Sequence, residues 1–180
     1  MRKSILFPAL AFLGAGALAM LVACGSVKVP DNIKVVENFD INKYSGKWYE
    51  IARFDFKFEK DMKQVTAEYA VNEDGSLKVL NKGFNYVDQE WTEKEGKGEF
   101  VGATNKGALK VSFFGPFYSG YNVVALEDNY NYALVFGEST EYIWILSRKQ
   151  SIPDRVKDKF LKMAKDAGYN LDRLVWTKQE

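Results

Sequence analysis

Eight short runs rich in β-branched and aromatic residues follow one another between Lys47 and Ser147, and nothing else in the chain constrains its fold as strongly. They lie near Lys47–Phe54, Gln64–Val71, Ser76–Phe84, Glu95–Gly102, Ala108–Phe114, Tyr121–Glu127, Asn131–Phe136 and Glu141–Ser147. Between them sit turn signals. Asn72-Glu73-Asp74-Gly75, Asn105-Lys106-Gly107, Gly115-Pro116 and Asp128-Asn129 supply the backbone geometries that tight connections need. Short runs at such spacing, joined mostly by hairpin-length links, describe an antiparallel sheet. Alternation shows that one face is apolar: Leu109, Val111 and Phe113 alternate with Lys110 and Ser112, and Val65, Ala67 and Tyr69 alternate with Thr66 and Glu68. Gly96, Gly98 and Phe100 likewise alternate with Lys97 and Glu99. Closing such a sheet on itself buries that face and removes both edges. The expected fold is therefore all-β, an eight-stranded antiparallel up-and-down β-barrel of a size that can hold one small ligand.

After Ser147 the period changes. Pro153-Asp154 suits a helix start, Val156, Phe160, Met163, Ala164 and Ala167 fall on one side at helical spacing, and Gly168 supplies a stop. A C-terminal α-helix is expected, followed by a short ninth strand over Arg173–Thr177.

Composition removes much chemistry. The 180 residues contain no histidine, which excludes a Ser-His-Asp triad, a Cys-His pair and any His-held zinc or haem. One cysteine can form neither an internal disulfide nor a thiolate metal cage. No cofactor and no metal is expected. Lys+Arg 25 against Asp+Glu 24 gives a net charge of +1, so no single-sign field recruits nucleic acid.

The N-terminus reads as an address. Arg2 and Lys3 precede an apolar run from Ile5 that ends at Leu21-Val22-Ala23-Cys24, the order of a bacterial secretion signal. A run of that length could also span a bilayer. Its last four residues, however, resemble the lipobox of bacterial lipoproteins, and the chain's sole cysteine lies there. The resemblance implies a signal peptide over residues 1–23 and cleavage ahead of Cys24, which then carries diacylglycerol and an N-acyl chain such as palmitate. Gly25, where an Asp would signal inner-membrane retention, implies an outer-membrane passenger facing the periplasm. Residues 24–38 read as a lipidated tether and 39–180 as the folded domain.

Gly46-Lys47-Trp48 opens the first run, Asp128, Tyr130 and Tyr132-Ala133 mark a late turn, and Trp144-Ile145-Leu146-Ser147-Arg148 closes the eighth run. Together with the eight runs and the helix, these resemble the three short signatures of the lipocalin family. The stretches Trp48–Phe54 and Lys110–Phe117 resemble the bacterial outer-membrane lipocalins in particular. The likeness spans roughly Phe39 to Trp176. A barrel open at both ends would admit water to its core, and an indole crossed by a guanidinium is a suitable plug. Gly46, Trp48 and Arg148 are the expected plug, structural and not catalytic.

The apolar parity set nominates Tyr69, Leu77, Val79, Phe100, Leu109, Val111, Phe113, Tyr132, Leu134, Phe136 and Trp144 as the cavity lining, with core packing at the closed end as the alternative for each. Glu50 shares the parity of Trp48 and, pointing inward, would need a polar partner. No second acid is expected to join it inside. Glu93, Glu95 and Glu99, interleaved with Lys94 and Lys97, read as a solvated face and not as a glycosidase pair. Gly96-Lys97-Gly98 lacks the context of a nucleotide loop. The expected function is reversible binding of a single-chain lipid, a fatty acid or lysophospholipid, without enzymatic chemistry. A homodimer stays open. The rival readings are a lipid-modifying enzyme on the same fold and a structural envelope protein whose barrel is filled by its own side chains.

Overall fold

The computed structural model describes residues 27, 29–57 and 59–180; the expected signal segment and Cys24 lie outside the described residues. Among the described residues, nine strands and two α-helices follow in order. A single helical turn, α1 (Ile41–Tyr44), precedes β1 (Gly46–Phe54), β2 (Met62–Val71), β3 (Leu77–Asn85), β4 (Glu90–Phe100), β5 (Ala108–Phe114), β6 (Phe117–Glu127), β7 (Tyr132–Phe136) and β8 (Ile143–Ser147). Then come α2 (Asp154–Asp166) and β9 (Leu174–Trp176). Each of β1 to β8 pairs antiparallel with its neighbour in sequence, and β1 also pairs with β8, so the sheet is a closed eight-stranded barrel.

The runs expected from sequence are all strands, and two of them begin four or five residues earlier than expected. β4 starts at Glu90 because its first residues pair with Phe84 and Asn85 of β3, and β6 starts at Phe117 directly after the Gly115-Pro116 turn. α1 escaped the sequence reading, being one turn long; the Asp40 side chain caps it by accepting from the Asn42 and Lys43 amides at 3.0 and 3.4 Å. The end of the expected tether is also docked and not free: the Val36 amide donates to Val123 O at 2.9 Å, and Val36 O accepts from Gly107 at 2.8 Å.

Closure is uneven along the β1–β2 seam. The two strands pair only from Gly46–Tyr69 to Tyr49–Thr66, at the end where the chain enters. Beyond that point β9 lies on Ala52–Phe54. The tail that follows joins both strands, through Thr177 N–H to Ile51 O at 2.9 Å and Gln64 N–H to Lys178 O at 2.8 Å. Gln179 Nε2 donates to Glu50 O and Val65 O at 2.7 and 2.9 Å.

Two apolar clusters divide the molecule. One fills the barrel around Trp48, Tyr69, Leu77, Val79, Leu109, Val123, Val135 and Leu146. The other lies outside the barrel wall, where Val156, Phe160 and Ala164 of α2 cover Phe54, Ile143 and Ile145. Tyr132, Leu134 and Phe136 belong to this outer cluster, a correction to their expected place in the cavity. All five residues of β7 are apolar and buried, so alternation carries no signal there. Ala133 and Val135 are the inward pair, because α2 covers the opposite face.

Candidate functional site

The closed end is built on Trp48, which is fully buried and donates from Nε1 to Tyr44 O at 2.8 Å. The Arg148 guanidinium lies 3.8 Å from the centre of the Trp48 ring. Its nitrogens donate to the carbonyls of Lys43, Tyr44 and Ser45 at 2.8, 2.8 and 2.9 Å, to Lys47 O at 2.7 Å and to Tyr130 O at 3.3 Å. The plane of the guanidinium stacks on the indole while its edge gathers the carbonyls at the end of α1. Gly46 is needed for its backbone and not for space: its φ is +91°, while a Cβ there would meet Arg148 Nη1 at an ordinary contact distance of 3.6 Å.

Above the plug, the wall contains Tyr69, Leu77, Val79, Phe100, Leu109, Val111 and Trp144 of the expected lining. Tyr121 on β6, absent from the expected lining although it alternates with polar Asn122 and inward Val123, faces the same lumen and lies 6.3 Å from the Trp144 ring. Val111, Tyr121 and Trp144 are only half-buried, so solvent entering the barrel reaches them. Phe113 is 36% exposed and lies over Gly96, whose missing side chain leaves room for the ring; a Cβ there would be 2.6 Å from Phe113 Cδ1. Two open concavities of about 370 and 230 Å³ flank β4 at Glu95, Gly96 and Lys97, and Val111, Tyr121 and Trp144 line neither. On the outer face Glu93, Glu95 and Glu99 pair with Lys82, Lys78 and Lys110 at 3.8, 2.8 and 3.0 Å, the solvated arrangement expected.

The other end is the mouth, reached by the connections 55–61, 86–89, 115–116 and 137–142. The first of these folds over it. Phe56 packs edge-on against Trp144 and Tyr142, both at 5.8 Å, and Trp144 Nε1 donates to Glu59 Oε2 at 3.3 Å.

Beneath this loop is a buried charge cluster that sequence parity did not foresee. Glu50 is 3% exposed and points inward as expected, but its partners are Arg53 Nη1 at 2.8 Å and the Thr177 hydroxyl at 2.6 Å. A bulge between Glu50 and Ala52 shifts the register against β8 and turns Arg53 to the inner face. Arg53 also donates to Glu59 O, and its Nε lies 3.7 Å from Glu59 Oε2. Glu59 thus becomes a second interior acid beside Glu50, which corrects the expectation of a lone carboxylate.

Burial, and then the charge of Glu50, push the Glu59 carboxyl well above its ordinary value of 4.5, against the opposing pull of Arg53. The folded protein therefore keeps this proton at a pH where the unfolded chain has released it. Stability should fall as pH rises from the ordinary carboxylate range toward the raised value. Thermal midpoints measured between about pH 4 and 8 should show this decline in the wild type and a flatter profile in Glu59→Gln. Parallel profiles would show that Glu59 ionises freely.

A plugged antiparallel barrel with a loop-ringed mouth and a helix on its flank defines a cup-shaped calyx. The profile of the lipocalin-like domain matches residues 39–179. The chain is 48% identical over 165 residues to outer membrane lipoprotein Blc of Escherichia coli K12, covering 92% of this chain and 93% of that protein. It is 46% identical to outer membrane lipoprotein Blc of Vibrio cholerae over 164 residues, 91% and 96% of the two chains. Apolipoprotein D of Bos taurus is 35% identical over 156 residues, 83% and 80% of the two chains. The solved structure of insecticyanin from the tobacco hornworm superposes with a TM-score of 0.66 at 24% identity, covering 84% of this chain and 86% of that one, and shows the shared fold. The chain belongs to the lipocalin family, among its bacterial outer-membrane lipoproteins.

Proposed function

We propose that this lipocalin binds one single-chain lipid, a fatty acid or lysophospholipid, in the barrel lumen and stores or carries it without chemically changing it. The observation that carries this reading is the half-buried inner wall of Val111, Tyr121 and Trp144, apolar or aromatic side chains turned inward yet reached by solvent. An acyl chain of about 14 to 16 methylenes, at roughly 0.8 kcal/mol each, gains about 11–13 kcal/mol gross on burial. Association and chain ordering subtract from this, leaving affinities of roughly micromolar or better. An eight-stranded lumen has no width for a second tail, which favours single-chain lipids over two-chain phospholipids. A charged head stays at the mouth, where it remains hydrated while the tail descends toward Trp48. The interior acids do not make a reaction centre in this reading, because Glu50 is engaged by Arg53 and Thr177.

Titrating the soluble domain with lysophosphatidylcholine or palmitic acid should change tryptophan fluorescence saturably through Trp144. Val111→Trp, which adds an indole at mid-wall, should weaken the apparent affinity by about tenfold or more by overfilling the lumen. A second reading, a structural barrel filled by its own side chains, draws support from the concavities lying on the β4 flank. Absence of saturable binding by any single-chain lipid would establish that reading instead.

A further inference from the structure

Three tyrosines converge at the floor of the lumen. Tyr44 comes from α1 and packs on the plug, its ring 4.9 Å from that of Trp48. Tyr69 stands on β2 opposite Gly46, at the closed end, and Tyr121 reaches in from β6. The Tyr44 and Tyr121 hydroxyl oxygens are 2.6 Å apart, and those of Tyr69 and Tyr121 are 2.8 Å apart. Burial holds all three phenols above their ordinary value of 10.0, so each keeps its proton. A phenol carries one donor proton. Three protons therefore serve two hydrogen bonds, and among the described residues no other acceptor lies within bonding distance of these oxygens. One donor is left over. It stands where the end of a bound acyl chain would rest, beside Tyr121, the one member of the trio that is not fully buried.

We propose that the trio is a hydrogen-bond-donor subsite that takes a neutral oxygen, a hydroxyl or carbonyl, at the buried end of a single-chain ligand. This rests on the reading that the lumen holds such a lipid. A plain methyl terminus leaves the spare donor unpaired, whereas a hydroxyl or ketone oxygen satisfies it. A carboxylate at this depth is disfavoured: the cation that bears on the trio, Arg148, has its N–H groups on carbonyls across the plug, and Glu50 and Glu59 stand on the upper side.

The test compares palmitic acid with ω-hydroxypalmitic acid, which share the carboxylate at the mouth and differ only at the buried end. Burying a hydroxyl in an apolar pocket ordinarily weakens binding. Here the wild type should bind the ω-hydroxy acid at least as tightly as palmitic acid. The triple variant Tyr44→Phe, Tyr69→Phe, Tyr121→Phe keeps the rings and removes the donors; compared with the wild type it should lower the affinity for the ω-hydroxy acid relative to that for palmitic acid about tenfold. An unchanged ratio of the two affinities between wild type and variant overturns the subsite and leaves lipid binding intact. Failure of the wild type to bind either acid overturns both. Should the triple variant not fold, the carbonyl stretch of (ω−1)-ketopalmitic acid bound to the wild type decides: a frequency below that in cyclohexane supports the hydrogen bond, and an equal frequency excludes it.

Discussion

Trp48→Ala should lower the stability of the soluble domain by about 3–5 kcal/mol, the usual range for truncating a large buried aromatic. The side chain is fully buried, its indole nitrogen holds Tyr44 O at 2.8 Å, and Arg148 stacks on its outer face at 3.8 Å. Truncation empties the floor of the barrel and leaves the guanidinium without the surface it rests on. For a domain of this size each kcal/mol moves the thermal midpoint by about 2–4 °C, so circular dichroism melts should show a fall of roughly 6–20 °C. The preference among lipids should survive, because the half-buried wall at Val111, Tyr121 and Trp144 lies above the plug. An unchanged midpoint would remove Trp48 from its packing role.

Cys24→Ser should transfer the protein from the membrane fraction to the soluble fraction almost completely. Cys24 lies outside the described residues, and the expectation comes from its place after Leu21-Val22-Ala23 and from the outer-membrane lipoproteins to which the chain is similar. A serine hydroxyl is not a thiolate and cannot form the thioether. Each acyl chain contributes about 0.8 kcal/mol per buried CH₂, and several chains together exceed the marginal hold of a single myristoyl group. Cleavage after Ala23, as the lipobox resemblance implies, would remove Arg2 and Lys3 and leave 23 basic against 24 acidic residues, so charge supplies no substitute for the anchor. Fractionation followed by a carbonate wash measures this. A variant that still sediments with membranes would show another mode of attachment.

The eight strands were legible because most carry period-2 alternation, or turn residues that leave few other connections, and Gly46, Trp48 and Arg148 were singled out because their segments resemble the lipocalin signatures. Legibility failed where both faces of a strand are buried or where a bulge intervenes. β7 is apolar throughout, so only the docking of α2 shows that Ala133 and Val135 face the lumen while Tyr132, Leu134 and Phe136 do not. At β1, strict alternation from Trp48 puts Arg53 outside, and the bulge after Glu50 brings it in beside that acid. Glu59 has no periodicity to read, since its place follows from how one mouth loop folds over Trp144.

The sequence by itself determined the strand order and the apolar face, because these depend on local period and turn chemistry, while the plug residues were indicated by their resemblance to the lipocalin signatures. Only the tertiary structure decided which side of a doubly buried strand meets the lumen. It also decided that the C-terminal tail seals the β1–β2 seam, and that three tyrosines distant in sequence share two hydrogen bonds. Those outcomes depend on contacts between elements far apart in the chain, which periodicity within any one element does not encode.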